Sequence, residues 1–200
     1  MTGRIIRAGD GPVSNWNVPN VITIVRILLV PVFVWLLLAD RDLDGPLRWA
    51  AGALFIVAIA TDSIDGHLAR SRNLVTDLGK LLDPIADKAL TGTALVMLSI
   101  LQELPWWVTI VILVRELGIT LWRLALANRR VLPAGRGGKL KTVAQAVAIS
   151  AALLPLWTLF GDWVHWFNTG LMSIAFVLTV WSGADYLWQA YRPSATKESR

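Results

Sequence analysis

Four carboxylates stand close together in this chain, and their spacing is that of a site. Asp62 and Asp65 are three residues apart, Asp83 and Asp87 four, within the stretch DSIDGHLARSRNLVTDLGKLLDPIAD. On helices both spacings stack two side chains on one face. Apolar runs flank the stretch, AGALFIVAIAT before it and ALTGTALVMLSIL after it. An ionised carboxylate in hydrocarbon costs on the order of 2.5–3.5 kcal/mol, so each needs a partner or a function. Alone, four such groups would repel and several would hold protons. One or two divalent cations remove the difficulty, and all-oxygen ligands favour Mg2+, Mn2+ or Ca2+ over zinc. Such ions clamp and neutralise phosphates. Gly66 opens room beside Asp65 for a ligand to approach backbone, and Gly79 can do the same further on. Arg70 can reach a phosphate. The alternative is an acid cluster that holds helices together by pairing with Arg70, Lys80 and Lys88, a task that small apolar residues perform at lower cost.

The elements that must position these groups follow from hydropathy and charge. The chain has 200 residues, 55% of them hydrophobic and 16% charged, with mean hydropathy +0.56. That balance describes a polytopic membrane protein better than a soluble domain. Six spans, each near the ~20 residues needed to cross, are expected at about 20–39, 48–70, 78–101, 105–127, 140–160 and 168–190. Lys and Arg concentrate in the N-terminal segment, the 2–3 loop, the 4–5 loop and the tail, which puts both termini and those loops in the cytoplasm. Trp49, Trp106, Trp107, Trp163 and Trp166 mark the opposite interface. The expected architecture is therefore all-α. It comprises a cytoplasmic segment over 1–19, one six-helix domain over 20–190 and a cytoplasmic tail over 191–200. The first apolar run reads as a retained helix, not a cleaved signal, and no internal repeat is visible.

Spans 2 and 3 are joined by a short basic loop and are expected to be antiparallel neighbours. Asp65 lies about five residues, roughly 7–8 Å, inside that loop, and Asp83 and Asp87 enter the third span from the same side. The four carboxylates can then meet just below the cytoplasmic surface. The net charge of +5 fits basic cytoplasmic loops and anionic lipid, not a nucleic-acid partner. With no cysteine and only His67 and His165, thiolate and histidine metal clusters are excluded. His67 has no evident role, and His165 belongs with the far interface.

The residues Asp62, Asp65, Gly66, Ala69, Arg70, Gly79, Asp83 and Asp87 stand at the spacing DxxDGxxAR-x8-GxxxDxxxD. This resembles the signature of the CDP-alcohol phosphatidyltransferase family at every fixed position. The resemblance implies six transmembrane helices, a homodimer in the cell membrane, and a dinuclear Mg2+ or Mn2+ site at the cytoplasmic face. It also implies cleavage of CDP-diacylglycerol with release of CMP. By the same resemblance Asp62, Asp65 and Asp83 are metal ligands, while Asp87 is both ligand and base for the acceptor hydroxyl. Gly66, Ala69, Arg70, Thr76 and Gly79 would lie against the cytidine diphosphate. Residues 17–26, NVPNVITIVR, are similar to the family's NxPNxLTxxR opening, which adds Asn20 and Thr23 to the donor site.

Other segments resemble the branch of that family whose acceptor is glycerol 3-phosphate: Trp106–Thr109, Val114–Glu116, Gly138–Gln145, Val180–Ser182 and Tyr186–Leu187. An anionic acceptor wants cations, and Arg26, Arg115, Arg123, Lys139 and Lys141 are the candidates. Arg26 is a lone arginine inside span 1 and needs an anion. Arg115 could instead pair with Glu116 or a facing acid, and Lys139 and Lys141 could merely set topology. Phosphatidylglycerol or an inositol phosphate is the rival acceptor within the family. The rival of another class is a cation or proton transporter, which would distribute its acids across the bilayer or on broken helices at mid-depth.

Overall fold

The computed structural model describes residues 18–41, 43–71, 77–126 and 136–191. It gives the backbone alone at 18–19, 62–71, 77–84, 123–126, 136–137, 139 and 189–191. Within these residues the fold is all-α, with no strand. The helices are α1 (Val18–Asp40), α2 (Pro46–Ser71), α3 (Asp77–Ile100), α4 (Trp106–Leu126), α5 (Arg136–Leu153), α6 (Trp157–Phe160) and α7 (Trp163–Tyr191).

Local chemistry sets several of these ends. Pro46 opens α2, at the position where a missing amide hydrogen costs nothing, and the Asp40 carboxylate accepts hydrogen bonds from the amides of Gly45 and Arg48. A carboxylate there satisfies donors that the first turn leaves unpaired and meets the positive end of the helix dipole. A side chain at Gly45 would sit 3.2 Å from Asp40 Oδ1, which is why this close approach falls at a glycine. The fifth helix ends at Leu153 rather than near 160. Pro155 has no amide hydrogen and its ring clashes with the preceding turn, so the chain breaks and restarts as α6. The last helix begins earlier than hydropathy indicates, at Trp163, because its first turns carry His165 and Asn168 yet remain helical.

The core runs through the bundle, with Phe33, Phe55, Leu90, Leu98, Ile112, Ile149 and Leu153 fully buried. Phe33 and Phe55 join α1 to α2, ring centroids 6.1 Å apart. Among the described residues α1 packs extensively on both α2 and α3, which also touch each other directly, while α5 lies along α7. Polar pairs add specificity: Ser99 and Thr109 share a hydrogen bond of 2.7 Å between α3 and α4, and Gln145 donates to Thr179 at 2.8 Å between α5 and α7. Bonds of this kind between apolar helices are worth about 0.6–2 kcal/mol in a membrane.

The outer surface is apolar. Leu28, Trp35, Val57, Val114 and Trp166 are each more than half exposed, a pattern that suits contact with lipid and not with water. Among the described residues two helical segments have both the length and the apolarity to cross a bilayer, Asn20–Asp40 with mean hydropathy 2.7 and Trp163–Trp188 with 1.3. Shorter apolar stretches are Pro46–Thr61 and Leu140–Leu153.

One end of the bundle is locked by Arg48. Its side chain is 3% exposed and reaches Glu103 at 2.6 Å and Asp44 at 3.3 Å. It also donates to the carbonyls of Ala152 and Leu153 in the last turn of α5, and its guanidinium carbon lies 4.8 Å from the centre of the Trp157 ring. One guanidinium thus ties the start of α2 to the α3–α4 loop, the end of α5 and α6. Burial holds the Glu103 carboxyl above its ordinary 4.5, with the Arg48 guanidinium pulling the other way.

Candidate active site

The backbone of α2 carries Asp62 and Asp65, and that of α3 carries Asp83 and Asp87. Only the backbone is described for Asp62, Asp65, Gly66, Ala69, Arg70, Gly79, Asp83, Arg123 and Lys139, and Thr76 lies outside the described residues altogether. Among the described residues no group of three metal-ligating side chains occurs. Of the expected ligands only Asp87 can be followed to its carboxylate.

That carboxylate is partly exposed and belongs to a charged network. Lys88 Nζ lies 2.9 Å from Asp87 Oδ2 and 2.9 Å from Glu116 Oε2. Glu116, buried on α4, also accepts from Arg115 Nη1 at 2.8 Å and from Lys141 Nζ on α5. Arg115 Nη2 donates to Ser182 on α7 at 2.7 Å, and the arginine packs over Gly183, where an added Cβ would meet its Cγ at 3.1 Å. Five residues on three helices, fixed to a fourth through Ser182, therefore bring three cations and two carboxylates together. In a low-dielectric interior such an assembly is stable only when every charge is paired, and Glu116 is the group that pairs them.

Of the expected acceptor-site residues, Arg115 and Lys141 are brought together here, both on Glu116. Arg26 is buried on α1 with Asn20 and Thr23, and each of the three has an interaction of its own. The spacing of 20, 23 and 26 places them on one inward face of that helix. Sequence reasoning missed the centre of the network. Glu116 entered only as a neighbour of Arg115, and Lys88 only as a partner for the acids. The available signal was a carboxylate inside an apolar helix, a costly residue that by default marks function.

Chemically, a carboxylate with a partly open face beside a set of cations can accept a proton from a hydroxyl whose own phosphate is drawn to those cations. The four aspartates named from the sequence, Asp62, Asp65, Asp83 and Asp87, offer carboxylate oxygens, a donor type that suits a hard divalent ion.

Comparison with known proteins gives a consistent result. The family model for CDP-alcohol phosphatidyltransferase matches residues 16–181. The chain is 45% identical over 191 residues to a protein of Mycobacterium tuberculosis named "Probable phosphatidylglycerophosphate synthase", covering 96% of this chain and 88% of that one. It is 41% identical over 198 residues to a protein of Bacillus subtilis named "CDP-diacylglycerol--glycerol-3-phosphate 3-phosphatidyltransferase", covering 90% of this chain and 99% of that one. A protein of Escherichia coli K12 with the same name is 36% identical over 184 residues, covering 86% of this chain and 94% of its own length.

Proposed function

Because the chain belongs to the CDP-alcohol phosphatidyltransferase family, and is therefore a transferase and a membrane protein, we propose that it moves the phosphatidyl group of CDP-diacylglycerol to glycerol 3-phosphate. The products are phosphatidylglycerophosphate and CMP. The observation that carries this reading is the near full-length similarity to relatives whose names specify that acceptor. The basic cluster around Glu116, one residue pair away from Asp87, agrees with an anionic acceptor. The family match also favours transfer over cation transport.

In the proposed reaction the acceptor hydroxyl attacks the phosphorus of the phosphatidyl group, and the bond from that phosphorus to the CMP oxygen breaks. Asp87 takes the hydroxyl proton, and CMP leaves as the anion. Asp62, Asp65, Asp83 and Asp87 would hold one or two Mg2+ or Mn2+ ions, which when bound supply neutralisation of the diphosphate charge. Gly66, Ala69, Arg70, Thr76, Gly79, Asn20 and Thr23 would bind the donor. Lys141 and Arg115, held in place by Glu116, would draw the acceptor phosphate toward Asp87, with Arg26, Arg123 and Lys139 as further cations. We read the protein as a six-span homodimer of the cell membrane with both termini and the active site on the cytoplasmic side. That side is where the donor's head can be reached while its acyl chains stay in lipid.

The test is a panel of alcohols. Purified protein with CDP-diacylglycerol and Mg2+ or Mn2+ is given glycerol 3-phosphate, phosphatidylglycerol or an inositol phosphate, and CMP is measured. Release with glycerol 3-phosphate alone is expected; release with either rival in its place overturns the choice of acceptor.

A further inference from the structure

The end of the bundle remote from Asp87 carries a cleft that the proposed reaction does not use. The α3–α4 loop, the first turn of α4, the end of α5 and the first half of α7 enclose about 560 Å³, within the range of about 300–1,000 Å³ usual for ligand sites. Its α7 wall is formed by residues four apart, Asn168, Met172 and Phe176, with Thr169, Ser173 and Val177 beside them. That stripe is some 13–14 Å long at 1.5 Å rise per residue, close to half of the ~30 Å hydrocarbon thickness. The opposite wall is apolar, with Leu98, Leu104 and Val108. Polar side chains line the end formed by the α3–α4 loop and the start of α7, where Gln102, Glu103 and His165 stand.

One of the side chains that line the cleft has an unsatisfied atom. Asn168 is 9% exposed, and its buried Oδ1 has no hydrogen-bond partner among the described residues. A buried carbonyl oxygen without a donor is costly to leave so. The cleft is thus polar at one end, apolar over one leaflet's depth, and short of one donor near its top.

We propose that this cleft binds a single phospholipid of the leaflet opposite the active site, one whose headgroup carries a hydrogen-bond donor, hydroxyl or ammonium. The upper part of an acyl chain lies along Met172, Phe176 and Val177, and the headgroup donates to Asn168 Oδ1. A headgroup without N–H or O–H groups cannot make that bond and is discriminated against. The proposal rests on reading α3, α4 and α7 as membrane spans, and it is independent of the acceptor alcohol.

The experiment uses the full chain and two variants, Asn168→Leu and Ser173→Trp, the second of which fills the slot. Each is reconstituted with equal parts of phosphatidylglycerol, phosphatidylethanolamine and phosphatidylcholine, gently delipidated, and examined by native mass spectrometry for retained lipid. CMP release is measured in parallel. The wild-type chain is expected to keep phosphatidylglycerol or phosphatidylethanolamine and to lose phosphatidylcholine, the first two arms separating hydroxyl from ammonium recognition. Asn168→Leu should lower that retention about tenfold, as loss of one buried hydrogen bond does, and Ser173→Trp should abolish it, both with CMP release unchanged. Equal retention of all three lipids by the wild-type chain overturns the proposal even if neither variant folds. So does retention indifferent to both substitutions, or a Ser173→Trp protein that keeps its lipid but falls from dimer to monomer, which would make the cleft a contact between copies. Failure of the acceptor assignment shows separately, in CMP release by the wild-type protein.

Discussion

Lys88 Nζ stands 2.9 Å from Glu116 Oε2 while holding Asp87 at the same distance, so the expected base is coupled through one ammonium to a buried carboxylate on the next helix. Glu116 in turn gathers Arg115 and Lys141. Substituting Glu116→Gln leaves three cations facing one another with too little negative charge. Breaking a buried ion pair by removing one partner costs about 3–5 kcal/mol, and a loss of that order is expected in the unfolding of the purified protein in detergent. A variant as stable as the wild type would mean that the cations find other partners.

Asp87→Asn keeps the size of the side chain and removes its capacity to take a proton. We expect CMP release to fall by roughly 10²–10⁴, the usual contribution of a general base, in a protein that remains folded and elutes as the wild type does. Retained CMP release in the presence of acceptor removes Asp87 as the base.

Lys141 tests the acceptor site. Lys141→Gln is expected to raise the KM for glycerol 3-phosphate by more than that for CDP-diacylglycerol, because only the acceptor's phosphate is assigned to this cluster. The same comparison with Lys139→Ala asks whether a second cation on α5 takes part. Equal effects on both substrates in either variant would reduce that lysine to a structural or topological role.

At the other end of the bundle, Arg48 predicts a defect in stability without a defect in chemistry. Arg48→Met strands Glu103 and the last carbonyls of α5, and a loss on the order of 3–5 kcal/mol is expected with activity per folded molecule unchanged. Glu103 adds a dependence on pH. Its carboxyl sits above the ordinary 4.5 because of burial, so the folded chain holds that proton more tightly than the unfolded one. The contribution is complete at pH below the ordinary value and is lost as pH rises through the raised one. Thermal unfolding of Glu103→Gln should lack this component, and identical pH profiles for wild type and variant would contradict it.

The helices themselves were legible because apolar runs of about 20 residues leave few alternatives, and the bounds agree within a few residues for α1 to α4. Pro155 was the readable stop that hydropathy alone overlooked, and the early start at Trp163 was hidden by polar residues in a helical turn. Arg48 and Glu103 carry no such local signal. Their pairing spans 55 positions and no local spacing announces it. The same holds for Glu116 and Lys141, 25 positions apart. Short spacings, as in the aspartates of α2 and α3, raise an expectation of chemistry on their own; contacts assembled by packing distant helices raise none.

The central claim is that carboxylates from α2 and α3 hold divalent ions on which transfer depends. It is tested most directly by measuring CMP release from CDP-diacylglycerol and glycerol 3-phosphate after chelation and on return of Mg2+ or Mn2+, in the wild type and in Asp62→Asn, Asp65→Asn and Asp83→Asn. Release that vanishes in chelator, returns with the metal, and stays absent in all three variants is the predicted result. Release that persists without metal, or that survives these substitutions, contradicts it.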